Sequence, residues 1–168
     1  MTDLITDPEA AFVGALLHLS AADALTVLHL LRADDIANPR LSVIAEAARR
    51  LADDGVAPDP TTVLAFIRAA GTVTRADAVN RLALLLADLY EACANPASAR
   101  WYALALLDEA LRRRFRELAD RVTQAADGAP LDTVVQVLDR ECRAVRELLD
   151  RRTAASRGTP TRLRAVAG

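Results

Sequence analysis

The chain of 168 residues is 52% hydrophobic, 26% charged and 4% aromatic, with a formal net charge of −2. That is enough chain for one ordinary domain with a substantial core. No signal peptide opens it and no apolar run approaches the roughly 18 residues of a membrane span, so a soluble, cytoplasmic protein without membrane contact is expected. β-branched residues are scattered and nothing alternates over strand length, while Ala, Leu and Arg abound, which points to an all-α fold.

Helix punctuation is regular. Asp7-Pro8 opens a first helix through "EAAFVGALLHL", and Ser20 with Asp23 resembles a capping box for "AADALTVLHLL". Asn38-Pro39 launches "PRLSVIAEAARRLADD", which Gly55 stops. Asp59-Pro60 repeats the device for "PTTVLAFIRAA", ended by Gly71, and Thr74 with Asp77 starts "RADAVNRLALLLADLYEAC". Such short helices are unstable alone, so about five of them form a globular head over residues 1–95.

The pattern changes after Asn95-Pro96. From Ala97 to about Ala126 there is neither Gly nor Pro, giving about 45 Å of helix. Its apolar stripe runs Leu104, Leu107, Leu111, Phe115, Leu118, Val122, Ala125. "DGAP" at 127–130 signals a turn, and a second helix to about Arg152 carries Leu131, Val135, Leu138, Cys142, Val145 and Leu149 at the same spacing. Matched stripes joined by a short loop predict a long antiparallel helical hairpin over 96–152. Two helices do not cover all their apolar flanks: Leu106, Trp101 and Tyr102 lie partly outside the seam, so self-association of hairpins is expected. Residues 153–168 have the composition of a flexible basic tail or linker.

Charge is distributed unevenly. Residues 1–150 hold 16 arginines against all 23 acids, a net of −7, whereas 151–168 hold five arginines and no acid. All 21 basic residues are arginine, which the codon usage of a GC-rich bacterial genome explains more simply than chemistry does. The run "LDEALRRRFRELAD" places Arg112, Arg113, Arg114 and Arg116 in five positions. It also offers i,i+4 pairs Asp108–Arg112, Glu109–Arg113, Arg113–Glu117, Arg116–Asp120 and Glu117–Arg121. Paired arginines are poor phosphate ligands, so this reads first as a solvated helix face, then as a partner-contact surface, and last as a nucleic-acid grip. Arg157, Arg162 and Arg164 of the tail are the better candidates for nucleic-acid contact, with a plain linker the simpler reading.

Catalytic chemistry is not legible. His18 and His29 lack acidic or Cys partners at i+3 or i+4 and read as packed or surface residues. Cys93 and Cys142 read as buried free thiols. Asp34-Asp35 and Asp53-Asp54 read as solvated loop charge. There is no phosphate loop, nucleophile elbow or zinc spacing, so no enzyme, no metal and no cofactor are expected.

The ordered series resembles the N-terminal domain of the DnaB-type replicative DNA helicases, from Glu9 to Leu149. "EAAFVGALL" is similar to the family's opening helix, with Glu9 and Gly14-Ala15-Leu16-Leu17 matching. "LLRADDIANPRLSVIAEAARRLADDGVAPDPTTV" follows the family's second stretch, with Pro39, Ile44, Leu51, Gly55, Pro58 and Thr62 in place. "NPASARWYALALLDEALRRRF" resembles the start of its hairpin. The chain departs at Ile36-Ala37, where the family usually has an aromatic, at Leu41, usually histidine, and at Asp59-Pro60, usually isoleucine-aspartate. It ends where the family's linker leads into a RecA-like motor and contains no lysine for a Walker A motif, so no ATP hydrolysis is expected.

The resemblance implies a non-catalytic domain acting in DNA replication, whose hairpins pair into dimers and larger rings that recruit primase or loader proteins to the helicase. It makes Trp101, Leu104, Leu107, Leu111, Phe115, Leu118, Val122, Val135, Leu138, Val145 and Leu149 hairpin-core or dimer positions. The alternative is a small DNA-binding protein that uses the arginine-rich tail.

Overall fold

The computed structural model describes residues 7–157. Among them are seven α-helices and no strand: α1 (Pro8–Leu16), α2 (Ala21–Leu28), α3 (Pro39–Asp53), α4 (Pro60–Ala69), α5 (Ala76–Ala92), α6 (Ala99–Ala126) and α7 (Leu131–Arg157). Short 3₁₀ turns occupy Ala33–Asp35 and Pro96–Ser98. The fold is all-α, as expected. The described residues divide into two compact units, with the division between Leu106 and Leu107, inside α6. α7 also continues helical five residues past Arg152, into the stretch expected to be tail.

The helix starts follow local chemistry. The Asp7, Asn38 and Asn95 side chains each accept from the backbone N–H two residues on, at 2.9, 3.0 and 3.1 Å. Asp59 Oδ1 accepts from both Thr61 and Thr62, and Ser20 Oγ accepts from Asp23 N. Each such cap is worth roughly 0.5–2 kcal/mol. Proline stands in the first turn of α1, α3 and α4, where a missing N–H costs nothing. α5 is the exception: its cap is Arg75, which makes no capping bond, and not Thr74. Gly55 and Gly71 end their helices at φ 77 and 70, the left-handed region in which only glycine is unstrained.

In the first unit α1 packs on α3 and α5, α3 on α2 and α4, and α4 on α5. Phe12, Leu16, Leu28, Ile44, Val63, Ile67, Leu86 and Leu89 are at most 2% exposed and form the core. α1 and α5 approach closely at Gly14, where a Cβ would stand 2.5 Å from the Leu89 carbonyl oxygen. Two long-range polar contacts fix the periphery. The Glu9 carboxylate accepts from the backbone N–H groups of Ala37 and Asn38 at 2.7 and 2.9 Å, tying α1 to the start of α3. Arg49 donates to the carbonyls of Leu28 and Leu31, satisfying the open end of α2. Asp35 corrects one expectation: it is buried, not solvated, and accepts from Arg32 N at 2.7 Å. Asp34, Asp53 and Asp54 are exposed.

In the second unit the α6 segment and α7 run antiparallel. Arg121 meets Glu141, and further from the turn Asp108 meets Arg152.

Candidate interaction surface

The seam of the hairpin is offset from the one that the sequence predicts. In α7 the buried positions are Glu141, Val145, Leu148 and Ala155, with Val134, Val137 and Ala144 half-buried on the same side. The expected α7 stripe is largely open: Leu131 is 77% exposed, Val135 49%, Leu138 40% and Leu149 38%, Cys142 is half-buried, and Val145 alone belongs to both phases. In α6, Leu104, Leu106 and Leu107 are buried, Leu111, Leu118, Val122 and Ala125 half-buried, and Phe115 is 49% exposed. Trp101 is 40% exposed and Tyr102 half-buried. α7 therefore carries two heptad phases, one turned inward and one outward.

A buried carboxylate explains the choice. Glu141, 1% exposed, accepts from Arg121 Nη1 on both oxygens at 2.8 and 2.9 Å, with Arg140 at 3.3 Å and Arg114 at 3.5 Å. Burial alone would raise its pKa, but these guanidinium groups, Arg121 first, hold it below the usual carboxylate range. Glu141 in turn raises the pKa of Arg121, as Asp108 raises that of Arg152, which it meets at 2.7 Å. The inward phase looks interrupted by an acid in sequence, yet that acid is neutralised across the seam.

The arginine run is paired, in part as expected. Arg112 bonds Glu109 and Arg114 bonds Glu117, both three residues apart, and Arg114 also faces Glu141. Of the expected four-residue pairs, Glu117–Arg121 stands at 3.7 Å. Asp108 turns across the hairpin to Arg152, not along α6 to Arg112. Arg113 also has a partner, whereas Arg116 is exposed. Arg157 is exposed at the end of α7, and Arg162 and Arg164 lie outside the described residues.

Elsewhere, His18 donates through Nε2 to the Tyr90 carbonyl at 2.9 Å and stacks on the Tyr90 ring at 3.7 Å, while His29 is exposed. Cys93 and Cys142 are free and half-buried, and burial raises the pKa of Cys93. No group of three His, Cys, Asp or Glu side chains that could hold a metal occurs among the described residues. No described helix is long and apolar enough to cross a membrane.

An all-helical head followed by a two-helix hairpin with an open apolar phase defines a helical scaffold domain whose distinctive surface is apolar rather than chemical. The profile of the DnaB-like helicase N terminal domain matches residues 4–108, and the chain belongs to that family. It is similar to the crystal structure of the N-terminal domain of DnaB helicase from Mycobacterium tuberculosis, at 27% identity and a TM-score of 0.70, covering 82% of this chain and 94% of that one. Comparison with curated proteins yields no match. Membership makes this a helicase-associated domain, and the family implies a place in DNA replication. The family's N-terminal domain is not its ATPase motor. Leu41, where the family usually has histidine, is a core residue at 3% exposure, and Ile36, in the aromatic's place, is buried at 7%.

Proposed function

We propose that the protein is a non-catalytic interaction and oligomerisation domain of the replicative-helicase type. It joins copies of itself through the hairpin and presents a surface to a helicase, a primase or a loader protein. The observation that carries this reading is the outward apolar phase: Phe115 on α6 and Val135, Leu138 and Leu149 on α7, each 38–49% exposed in the single chain. Covering half of such side chains is worth roughly 1 kcal/mol each, and a symmetric pairing doubles the sum. A second hairpin is a natural cover, because the α7 row Leu131, Val135, Leu138, Cys142, Val145, Leu149 keeps the heptad spacing that knobs-into-holes packing requires. The family resemblance supports the same positions.

Size-exclusion chromatography with light scattering tests this. The chain is expected to run as a dimer or larger assembly at tens of micromolar, and Phe115→Ser with Leu138→Ser is expected to return it to monomer. A wild-type chain that stays monomeric at that concentration refutes the self-assembly reading.

A further inference from the structure

The sequence draws the eye to arginines 112–116, yet less compensated guanidinium groups lie in the head. A groove of about 380 Å³ runs between α3 and α5, with Val43, Val73, Leu82 and Leu85 among its apolar lining and Arg40 and Arg81 contributed one from each helix. An adjoining hollow shares Val73 and is lined by Arg68. Arg40 and Arg68 have no carboxylate partner among the described residues, and the single carboxylate of Asp77 is shared between Arg75 at 3.3 Å and Arg81 at 3.2 Å. This corner holds four of the eight arginines between residues 7 and 106 but one of the 12 acids there. It is a basic spot with an apolar floor on an otherwise acidic head.

We propose that the groove between α3 and α5 is a docking site for an acidic amphipathic helix of a partner protein. This rests on the reading of the domain as a partner-recruiting unit, and gives that recruitment a surface and a chemistry. The volume lies within the range of specific binding pockets. The aliphatic floor takes the apolar anchors of a helix laid into a groove, spaced at i, i+3 and i+4. Its flanking carboxylates meet Arg40, Arg68 and Arg81, whose charge has little to neutralise it locally. Complementary charge at a partly exposed rim sets partner choice and association rate more than affinity. A nucleic acid would satisfy the guanidinium groups but not the floor, because no aromatic side chain lines the groove to stack a base.

The probe is a fluorescein-labelled synthetic helix of about five turns, with leucine at the i, i+3, i+4, i+7 positions and glutamate beside them. A twin peptide carries lysine for every glutamate. Fluorescence anisotropy on the full chain is expected to show binding of the acidic peptide and not of its basic twin. Arg40→Glu with Arg81→Glu is expected to weaken the acidic peptide by at least about tenfold, since like charges then face one another. Val43→Asp, which charges the floor and leaves both arginines in place, is expected to give a similar loss, with circular dichroism confirming that each variant folds. Equal binding of the two peptides overturns the proposal, as does an acidic peptide indifferent to both variants or displaced by a single-stranded oligonucleotide. Light scattering on the same samples separates this from the assembly reading. A monomeric wild-type chain defeats that reading while the peptide result stands on its own.

Discussion

Removing either partner of the seam ion pair should have unequal consequences. Arg121→Ala takes away both bonds at 2.8 and 2.9 Å but leaves a carboxylate that is 1% exposed, with Arg140 and Arg114 as its remaining partners at 3.3 and 3.5 Å. Stranding a fully buried charge costs about 3–5 kcal/mol. Arg121 is itself 44% exposed and two other guanidinium groups remain, so the loss is set lower, at about 2 kcal/mol. Glu141→Leu removes the buried charge instead and fills the inward phase with an apolar side chain. Its arginine partners are left 30–69% exposed and keep their water. That change should lie within about 1 kcal/mol of neutral, and on the stabilising side if the leucine packs. Urea unfolding followed by circular dichroism measures both differences, and for a chain of this size about 2 kcal/mol moves the thermal midpoint by roughly 4–8 °C. If Glu141→Leu proves as damaging as Arg121→Ala, the carboxylate contributes more than its burial costs, which refutes the predicted asymmetry.

The same carboxylate gives stability a pH dependence of definite sign. Its folded-state pKa lies below the ordinary 4.5, so its contribution is complete at neutral pH, begins to fall below about pH 4.5, and is lost as pH drops through the folded-state value. An acid titration of wild type against Glu141→Gln should show a shallower acid limb in the variant, and identical limbs would exclude the pair as the cause. At the α1–α5 crossing, Gly14→Ala forces a methyl to 2.5 Å from the Leu89 carbonyl oxygen, and should cost about 1–3 kcal/mol by thermal melting. Gly128→Ala, which meets nothing within 4 Å, is the control and should change little.

The starts of α1 to α4 are legible because their signals are local. An Asp or Asn before proline, or Ser20 with Asp23, specifies its own cap within three residues, and each such site makes the expected bond. α5 is not, since Arg75 reaches sideways to Asp77 and the helix begins at Ala76 without a capping side chain. Glu9 and Arg49 stabilise the head through backbone groups 18–29 residues away, which no short window contains. The hairpin is legible as a hairpin but not in its rotation. Apolarity alone favours the phase through Val135, Leu138 and Cys142, since the competing phase runs through a glutamate. The contest turns on Arg121, 20 residues away across the turn, which makes the glutamate acceptable inside and leaves the more apolar phase on the outside.

That inversion bears on how a partner surface is found in a helical scaffold. A more apolar row turned outward, and a less apolar row with an ion pair turned inward, is a poor arrangement for a hairpin that lives alone, because exposing Leu138 and Val135 while burying Glu141 loses on both faces. It becomes favourable once the outward row is covered, for the inward ion pair then holds α6 and α7 in one register while the more apolar row is buried outside the hairpin. Guanidinium groups follow parallel logic. Arg112 and Arg114 are crowded together in sequence and neutralised by Glu109, Glu117 and Glu141, whereas Arg40 and Arg68 stand apart in sequence and have no carboxylate beside them among the described residues. The fold, not the local run of like residues, decides which groups are left without a partner of their own.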